Sequence, residues 1–197
     1  MSRATPYDRD KTLDAAMSLF WDKGYHATSL KDLEVALAMK PGSIYAAFKS
    51  KENLYLLALE RYFTNSRDFF RRKAEQAETP LQFLADHLRG FALLASGDAA
   101  RQACMLTKTM VDTRSTDVTL AEQSRQYLLA MRTEIANVFE AAKTCGELFE
   151  NADPNRLARR YQANLTALRL ELHQGIDQSE LNELAEDMAR EVEAIRR

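Results

Sequence analysis

Residues 28–51 read Thr-Ser-Leu-Lys-Asp-Leu-Glu-Val-Ala-Leu-Ala-Met-Lys-Pro-Gly-Ser-Ile-Tyr-Ala-Ala-Phe-Lys-Ser-Lys, and the parsing of this stretch decides the fold. Two short helices fit it, with a tight turn between them. The first opens at Thr28 or Ser29, because an N-cap hydroxyl accepts a hydrogen bond from a free first-turn amide. Asp32, three residues after Ser29, makes a capping-box-like pattern and suits the positive end of the helix dipole. Leu30, Leu33 and Leu37 recur at helical spacing and give that helix one apolar face. The second helix begins at Pro41, whose fixed φ and missing N–H suit the first helical position. Ile44 and Phe48 face its core side, which leaves Lys40, Gly42, Ser43, Tyr45 and Ala46 outward. A small, basic, hydroxyl-bearing outer face on a short helix, set by a turn against another, is helix-turn-helix geometry. In that geometry the second helix enters a DNA major groove.

Composition agrees with a globular chain long enough to bury a core: 197 residues, 46% apolar and 28% charged. Four Pro and six Gly are few, which favours helices over a loop-rich all-β design. A net charge of −2 argues against indiscriminate nucleic-acid binding. Residues 1–51 hold eight Lys/Arg against six Asp/Glu, so DNA binding would rest on the motif rather than on bulk charge. Cys104 and Cys145 make no disulfide framework. No signal-peptide core or long apolar span appears, so the expected location is cytoplasmic, away from the membrane. His26, His87 and His173 are isolated, and no HxxxH, CxxC or glycine-rich phosphate loop is present. Metal, cofactor and catalytic roles are therefore not expected, and the chain is not read as an enzyme.

Around the central stretch the periodicity predicts an all-α chain of about nine helices. Helix 1 is expected over 7–23, with Leu13, Ala16, Met17 and Phe20 as its buried stripe and Gly24 as its left-handed stop. Trp21 and Tyr25 are expected to close the core of this small domain. Helix 4 starts after Ser50 and extends to about 76, with Leu54, Leu57, Ala58, Tyr62 and Phe69 inward. Its length of about 40 Å exceeds what a three-helix domain needs, so it is expected to bridge to a second domain. Helix 5 starts at Thr79-Pro80, with Leu81, Leu84, Leu88 and Phe91 inward and Gly97 at its close. Helix 6 is expected over 100–112 and helix 7 over 118–143. Helix 8 runs from Asp153-Pro154 to Gly175, and helix 9 from Asp177 or Ser179 to the terminus. The domain change falls at 49/50, giving a helix-turn-helix domain over 1–49 and an effector and dimerisation domain over 50–197.

The run Trp21-Asp22-Lys23-Gly24-Tyr25-His26-Ala27-Thr28-Ser29, then Lys40-Pro41-Gly42-Ser43-Ile44-Tyr45-Ala46-Ala47-Phe48-Lys49-Ser50-Lys51-Glu52, resembles the tetracycline-repressor (TetR/AcrR) family of bacterial regulators. The specific match covers residues 10–62. Ala38 and Lys40 depart from it, since the family usually has Gly and Ser or Thr there. In a left-handed turn Ala38 would cost on the order of 1 kcal/mol.

The resemblance implies a homodimeric regulator, most simply a repressor released from a palindromic operator by a small-molecule effector. It also implies that Tyr45 gives its hydroxyl to a phosphate; the plainer role is a ring packed between helices. Thr28 and Ser29 lie at a helix N-terminus that favours phosphate, where they also serve as caps. Lys49 and Lys51 are expected on the backbone, and Lys40, Pro41, Gly42, Ser43 and Ala46 near base edges. Helices 8 and 9 are expected to pair with their copies through Leu157, Tyr161, Leu165, Leu168, Leu172, Leu181, Leu184, Met188 and Val192. Effector candidates are Tyr62, Phe70, Phe91, Met105, Met110, Tyr127, Met131, Phe139, Tyr161 and His173, each of which is otherwise ordinary core.

Two alternatives stay open. Some similar proteins carry a sensing Cys near the position of Cys104, and a cation such as Lys108 can raise a thiolate fraction; otherwise Cys104 is a small buried hydrophobe. The second alternative is a helical interaction protein without DNA binding.

Overall fold

A computed structural model describes residues 7–94 and 103–197. Among the described residues there are nine α-helices and no strand: α1 (Arg9–Lys23), α2 (Leu30–Leu37), α3 (Pro41–Phe48), α4 (Lys51–Gln76), α5 (Pro80–Ala92), α6 (Met105–Thr113), α7 (Val118–Thr144), α8 (Pro154–Gln174) and α9 (Gln178–Glu193). Most helix starts follow local capping chemistry. Asp8, Ser29, Thr79, Asp153 and Asp177 each accept first-turn amides, and Pro follows at the first position of α5 and α8. Gly24 and Gly175 end α1 and α8 at positive φ. The expected start of helix 6 at Ala100 and the stop at Gly97 lie outside the described residues. α6 is first seen at Met105.

The residues divide into two compact units, Met1–Asn65 with Met105–Arg125, and Ser66–Cys104 with Gln126–Arg197. In the first, Leu13, Ala16, Phe20, Leu33, Leu37, Ile44, Phe48, Leu54, Tyr55 and Ala58 are buried. Tyr25 and Phe20 meet the Tyr55 ring edge-on at 5.0 and 4.7 Å, and Trp21 meets Tyr62 at 5.0 Å. The Tyr55 hydroxyl lies 2.6 Å from that of Thr109. Arg61 fastens α4 to α1 through Asp14, at 2.7 Å, and Asp10, at 2.9 Å. The Lys108 ammonium donates to the carbonyls of Trp21 (2.7 Å) and Asp22 (3.3 Å), where a cation suits the negative end of the α1 dipole.

In the second unit α5 packs along α9 and α8 around Leu81, Leu84, Leu88, Ile135, Phe139, Leu168, Leu181 and Ala185. Arg89 holds α9 by Glu186 and Glu193, each at 2.7 Å. One helix-face expectation is overturned here. Phe69 is 49% exposed, with the Lys73 ammonium 5.9 Å from its ring, and Phe70 is the buried residue instead. Leu54, Ala58 and Tyr62 remain inward, but over the next two turns the buried side of α4 comes to Phe70.

Candidate nucleic-acid interface

Helix α3 is held from below and left bare above. Ile44 and Phe48, on one side of α3, are 3% and 1% exposed. Lys40, Gly42, Ser43, Tyr45 and Ala46 are exposed and Pro41 half-buried, so these six lie together on the opposite face. Tyr45 is 46% exposed, and its ring is free to reach a partner. Lys40 makes no side-chain cap to α3. The first-turn amides of α3 are thus left without a side-chain oxygen at the N-cap, beside a cation.

The turn on either side of α3 uses a strained residue. Ala38 ends α2 at φ 50 and ψ 38, the left-handed conformation that disfavours a Cβ. Ala38→Gly is therefore expected to stabilise the chain by about 1 kcal/mol, read as a shift of the urea midpoint at constant slope. A midpoint that stays or falls would count against the strain assigned to Ala38. Lys49 ends α3 at φ 66 and ψ −52, and the Ser50 amide donates to the Phe48 carbonyl at 2.8 Å. That is the rare positive-φ γ-turn, and such strained backbone costs about 1–3 kcal/mol. It holds the exposed Lys49 at the joint between α3 and α4.

At the start of α2, Ser29 and Asp32 form a full capping box: the Ser29 amide and hydroxyl donate to Asp32 at 2.8 and 2.7 Å, and the Asp32 amide donates back at 3.2 Å. Lys23 adds an ammonium at 2.6 Å, and these donors, Lys23 first, hold the Asp32 carboxyl well below the usual range. Ser29 is exposed, so capping leaves it at the surface. Thr28 differs. It is 1% exposed, and its hydroxyl donates to the Gly24 carbonyl at 2.7 Å, so its side chain anchors the α1–α2 turn rather than facing a phosphate. Lys51 is half-buried with its ammonium 4.6 Å from the Tyr25 ring centre, a cation–π contact that draws it off the α3 face.

Residues 13–58 match the family described as "Bacterial regulatory proteins, tetR family". Over 194 residues the chain is 29% identical to the HTH-type transcriptional repressor ComR of Escherichia coli (strain K12), covering 93% of this chain and 89% of that one. Residues 13–58 thus form a TetR-family DNA-binding domain. The fold agrees over nearly its whole length with a TetR-family transcriptional regulator from Cytophaga hutchinsonii, at TM-score 0.84 and 18% identity, covering 99% of this chain and 98% of that one. A cysteine mutant of the TetR-family regulator CifR, complexed with 26bp double-strand operator DNA, is similar at TM-score 0.77 and 29% identity, covering 95% and 98%.

Outside the TetR-family domain the remaining candidate residues scatter. Tyr62, Met105 and Met110 belong to the first unit, and Phe70, Phe91, Tyr127, Met131, Phe139 and Tyr161 to the second. His173 is exposed on α8, because its position falls on the side opposite Leu168 and Leu172, and it lines no interior. Of the residues expected to meet a second copy, Tyr161, Leu168, Leu172, Leu181 and Val192 are instead buried in the chain's own core, and Leu157, Leu165, Leu184 and Met188 pack against it. Their apolar stripe is spent on α5 and on each other. On the outer side of α8, Leu170 is 50% exposed, and Ala163, Thr166 and Ala167 are exposed with it. Cys104 is half-buried, and the Lys108 ammonium invoked for it is engaged by the α1 carbonyls.

His87, isolated in the sequence, gains company in the TetR-family fold. Its Nδ1 lies 2.7 Å from the Tyr161 hydroxyl, which also donates to the Leu84 carbonyl at 3.1 Å. The rings of Phe70, Phe83 and Phe91 stand 5.3, 5.8 and 5.4 Å from it. Burial, and then the nearby Arg169 charge, lower the His87 pKa to about 3, so the imidazole is neutral. Arg169 itself lies 4.9 Å over the Phe91 ring.

Proposed function

We propose that this TetR-family regulator is a cytoplasmic, non-enzymatic homodimer that represses transcription from a palindromic operator until a small-molecule effector lowers its affinity. The observation that carries this reading is the bare face of α3, small and basic, presented by two buried anchors. Gly42, Ser43 and Ala46 let the helix backbone come close to the groove, and Lys40, Lys49 and Tyr45 supply phosphate contacts that fix its register. Two copies related by a two-fold axis set their α3 helices about 34–36 Å apart, one turn of duplex. No helix among the described residues is long and apolar enough to cross a membrane. Functionally the chain divides at 49/50, with α4 belonging in part to each compact unit. An effector that binds one α4 placement better than another shifts the population between them, and with it the spacing of the two readers.

The test is operator binding by Tyr45 variants, on a palindrome first selected from genomic fragments by the purified chain at fixed salt. Tyr45→Ala is expected to weaken binding by about tenfold or more, the worth of a hydrogen bond to a charged phosphate, with little change in melting because the ring is half exposed. Tyr45→Phe separates hydroxyl from ring. Full affinity in both variants would remove Tyr45 from the interface. Failure of the folded dimer to enrich any palindrome would remove the operator reading itself.

A further inference from the structure

Arg9, the first residue of α1, carries a cation that helix formation does not account for. A positive charge in the first turn opposes the helix dipole, whereas its neighbours Asp8 and Asp10 carry the charge that suits it. Both carboxylates are engaged elsewhere. Asp8 accepts the Asp10 and Lys11 amides and pairs with the Lys11 ammonium at 3.4 Å, and Asp10 pairs with Arg61 at 2.9 Å. Among the described residues no carboxylate pairs with Arg9. Its guanidinium is laid on an aromatic ring instead. It stands 5.4 Å from the centre of the Phe48 ring, and one N–H donates to the Tyr7 hydroxyl at 3.5 Å. The Tyr7 ring in turn meets Phe48 edge-on at 6.0 Å. Arg9 and Tyr7 are both exposed, so the cation is held in place while it faces solvent.

That place lies along the bare face of α3. Phe48 is the last residue of α3, and Tyr45, three residues before it, is its neighbour on the helix surface. Lys49, next in the chain, is exposed as well. A group laid on Phe48 therefore flanks Tyr45 and Lys49. A guanidinium resting on a ring keeps its outer N–H groups free, and two of them in parallel match the oxygens of a phosphate. We propose that Arg9 is a phosphate-contacting residue of the operator interface, held in position by Phe48 and Tyr7 and lying outside the helix-turn-helix. This rests on the operator reading above and adds a contact that α2 and α3 do not supply. The family match begins at residue 13 and does not reach Arg9. Phe48 then has two roles, as inner anchor of α3 and as the platform that aims the cation. A phosphate contact of this kind positions the chain on the duplex without reading its sequence.

The test is the salt dependence of DNA binding by the full chain, read by anisotropy over about 50–200 mM salt on the selected operator and on a scrambled duplex. Arg9→Gln is expected to weaken operator binding by about tenfold or more at the low end of that range. The log–log slope of affinity against salt is expected to become shallower by about 0.9 per copy, or about 1.8 on a palindrome bound by two copies. Both duplexes are expected to lose the same factor, since phosphates carry no sequence. Arg9→Lys keeps the charge and is expected to keep the slope while losing the affinity that the planar fork supplies. Lys11→Gln removes a cation already paired with Asp8 and is expected to leave the slope as it was. Melting of Arg9→Gln is expected to hold or rise, because the exposed cation opposes the α1 dipole. An unchanged slope in Arg9→Gln overturns the proposal even where affinity falls, since a purely structural role weakens binding alike at every salt. Equal flattening in Lys11→Gln overturns it too, by assigning the effect to the net charge of α1. An unmodified chain that binds neither duplex at any salt removes the operator reading, and this contact with it.

Discussion

Gly42→Glu is expected to abolish operator binding, by about a hundredfold or more, while leaving the chain at least as stable as before. Gly42 lies in the first turn of α3 on the exposed face, and a Cβ placed there meets nothing within 4 Å. Glycine inside a helix costs about 0.5–1 kcal/mol relative to alanine, so any side chain relieves that cost. A carboxylate in the first turn adds a favourable interaction with the helix dipole. Melting temperature and urea midpoint are thus expected to hold or rise. On DNA the same substitution places bulk where the backbone must approach the groove and sets a negative charge among phosphates. Juxtaposed like charges cost several kcal/mol at an interface, and about 3 kcal/mol is a hundredfold. Anisotropy titration of a labelled operator at fixed salt reads the loss, with Gly42→Ala separating bulk from charge. An acidic variant that bound with full affinity would place α3 outside the groove.

The second large effect is on stability in mild acid. The unfolded chain takes up a proton on His87 near its ordinary 6.5, the folded chain only near 3. Between those values acid favours the unfolded chain, by up to about 1.4 kcal/mol per pH unit. Stability from the neutral imidazole is fully present above 6.5 and lost as the pH falls toward 3. At pH 5 the loss amounts to about 2 kcal/mol. The groups against the ring are Tyr161, whose own ionisation burial pushes far up, and the Arg169 cation, so neither changes charge across this range. Urea midpoints compared at pH 7.5 and 5 are expected to differ by that loss in the unmodified chain, and by much less in His87→Gln. An equal acid sensitivity in both would assign the effect elsewhere. The comparison is of slopes, so any general destabilisation by the substitution drops out.

Much of this architecture was legible because its causes are local. The capping box at Ser29, Pro41 at the head of α3 and the stop at Gly24 each depend on residues within a turn of one another. The inward pair Ile44 and Phe48 follows from helical period alone, and with it the outward set on α3. The misplacements share a different cause. Thr28 and Lys51 look like phosphate contacts by position, but Gly24 and Tyr25 compete for their polar ends. Only the packed turn settles that competition.

By itself the sequence determined about nine helices, most of their starts among the described residues and the outward face of α3, since period and capping chemistry act over a few residues. It also determined that α8 and α9 each carry an apolar stripe. What that stripe meets was decided by the tertiary structure: a period shows that one side of a helix is dry, not whether its cover is the same chain or another. In this fold α5 covers it: Leu168, Leu172 and Leu181 lie in the chain's own core, and Leu157, Leu165 and Leu184 pack against it. The same holds for His87. Its surroundings come from Phe70, Phe83, Phe91 and Tyr161, on three helices and up to 74 residues away, and only folding brings their rings around one imidazole.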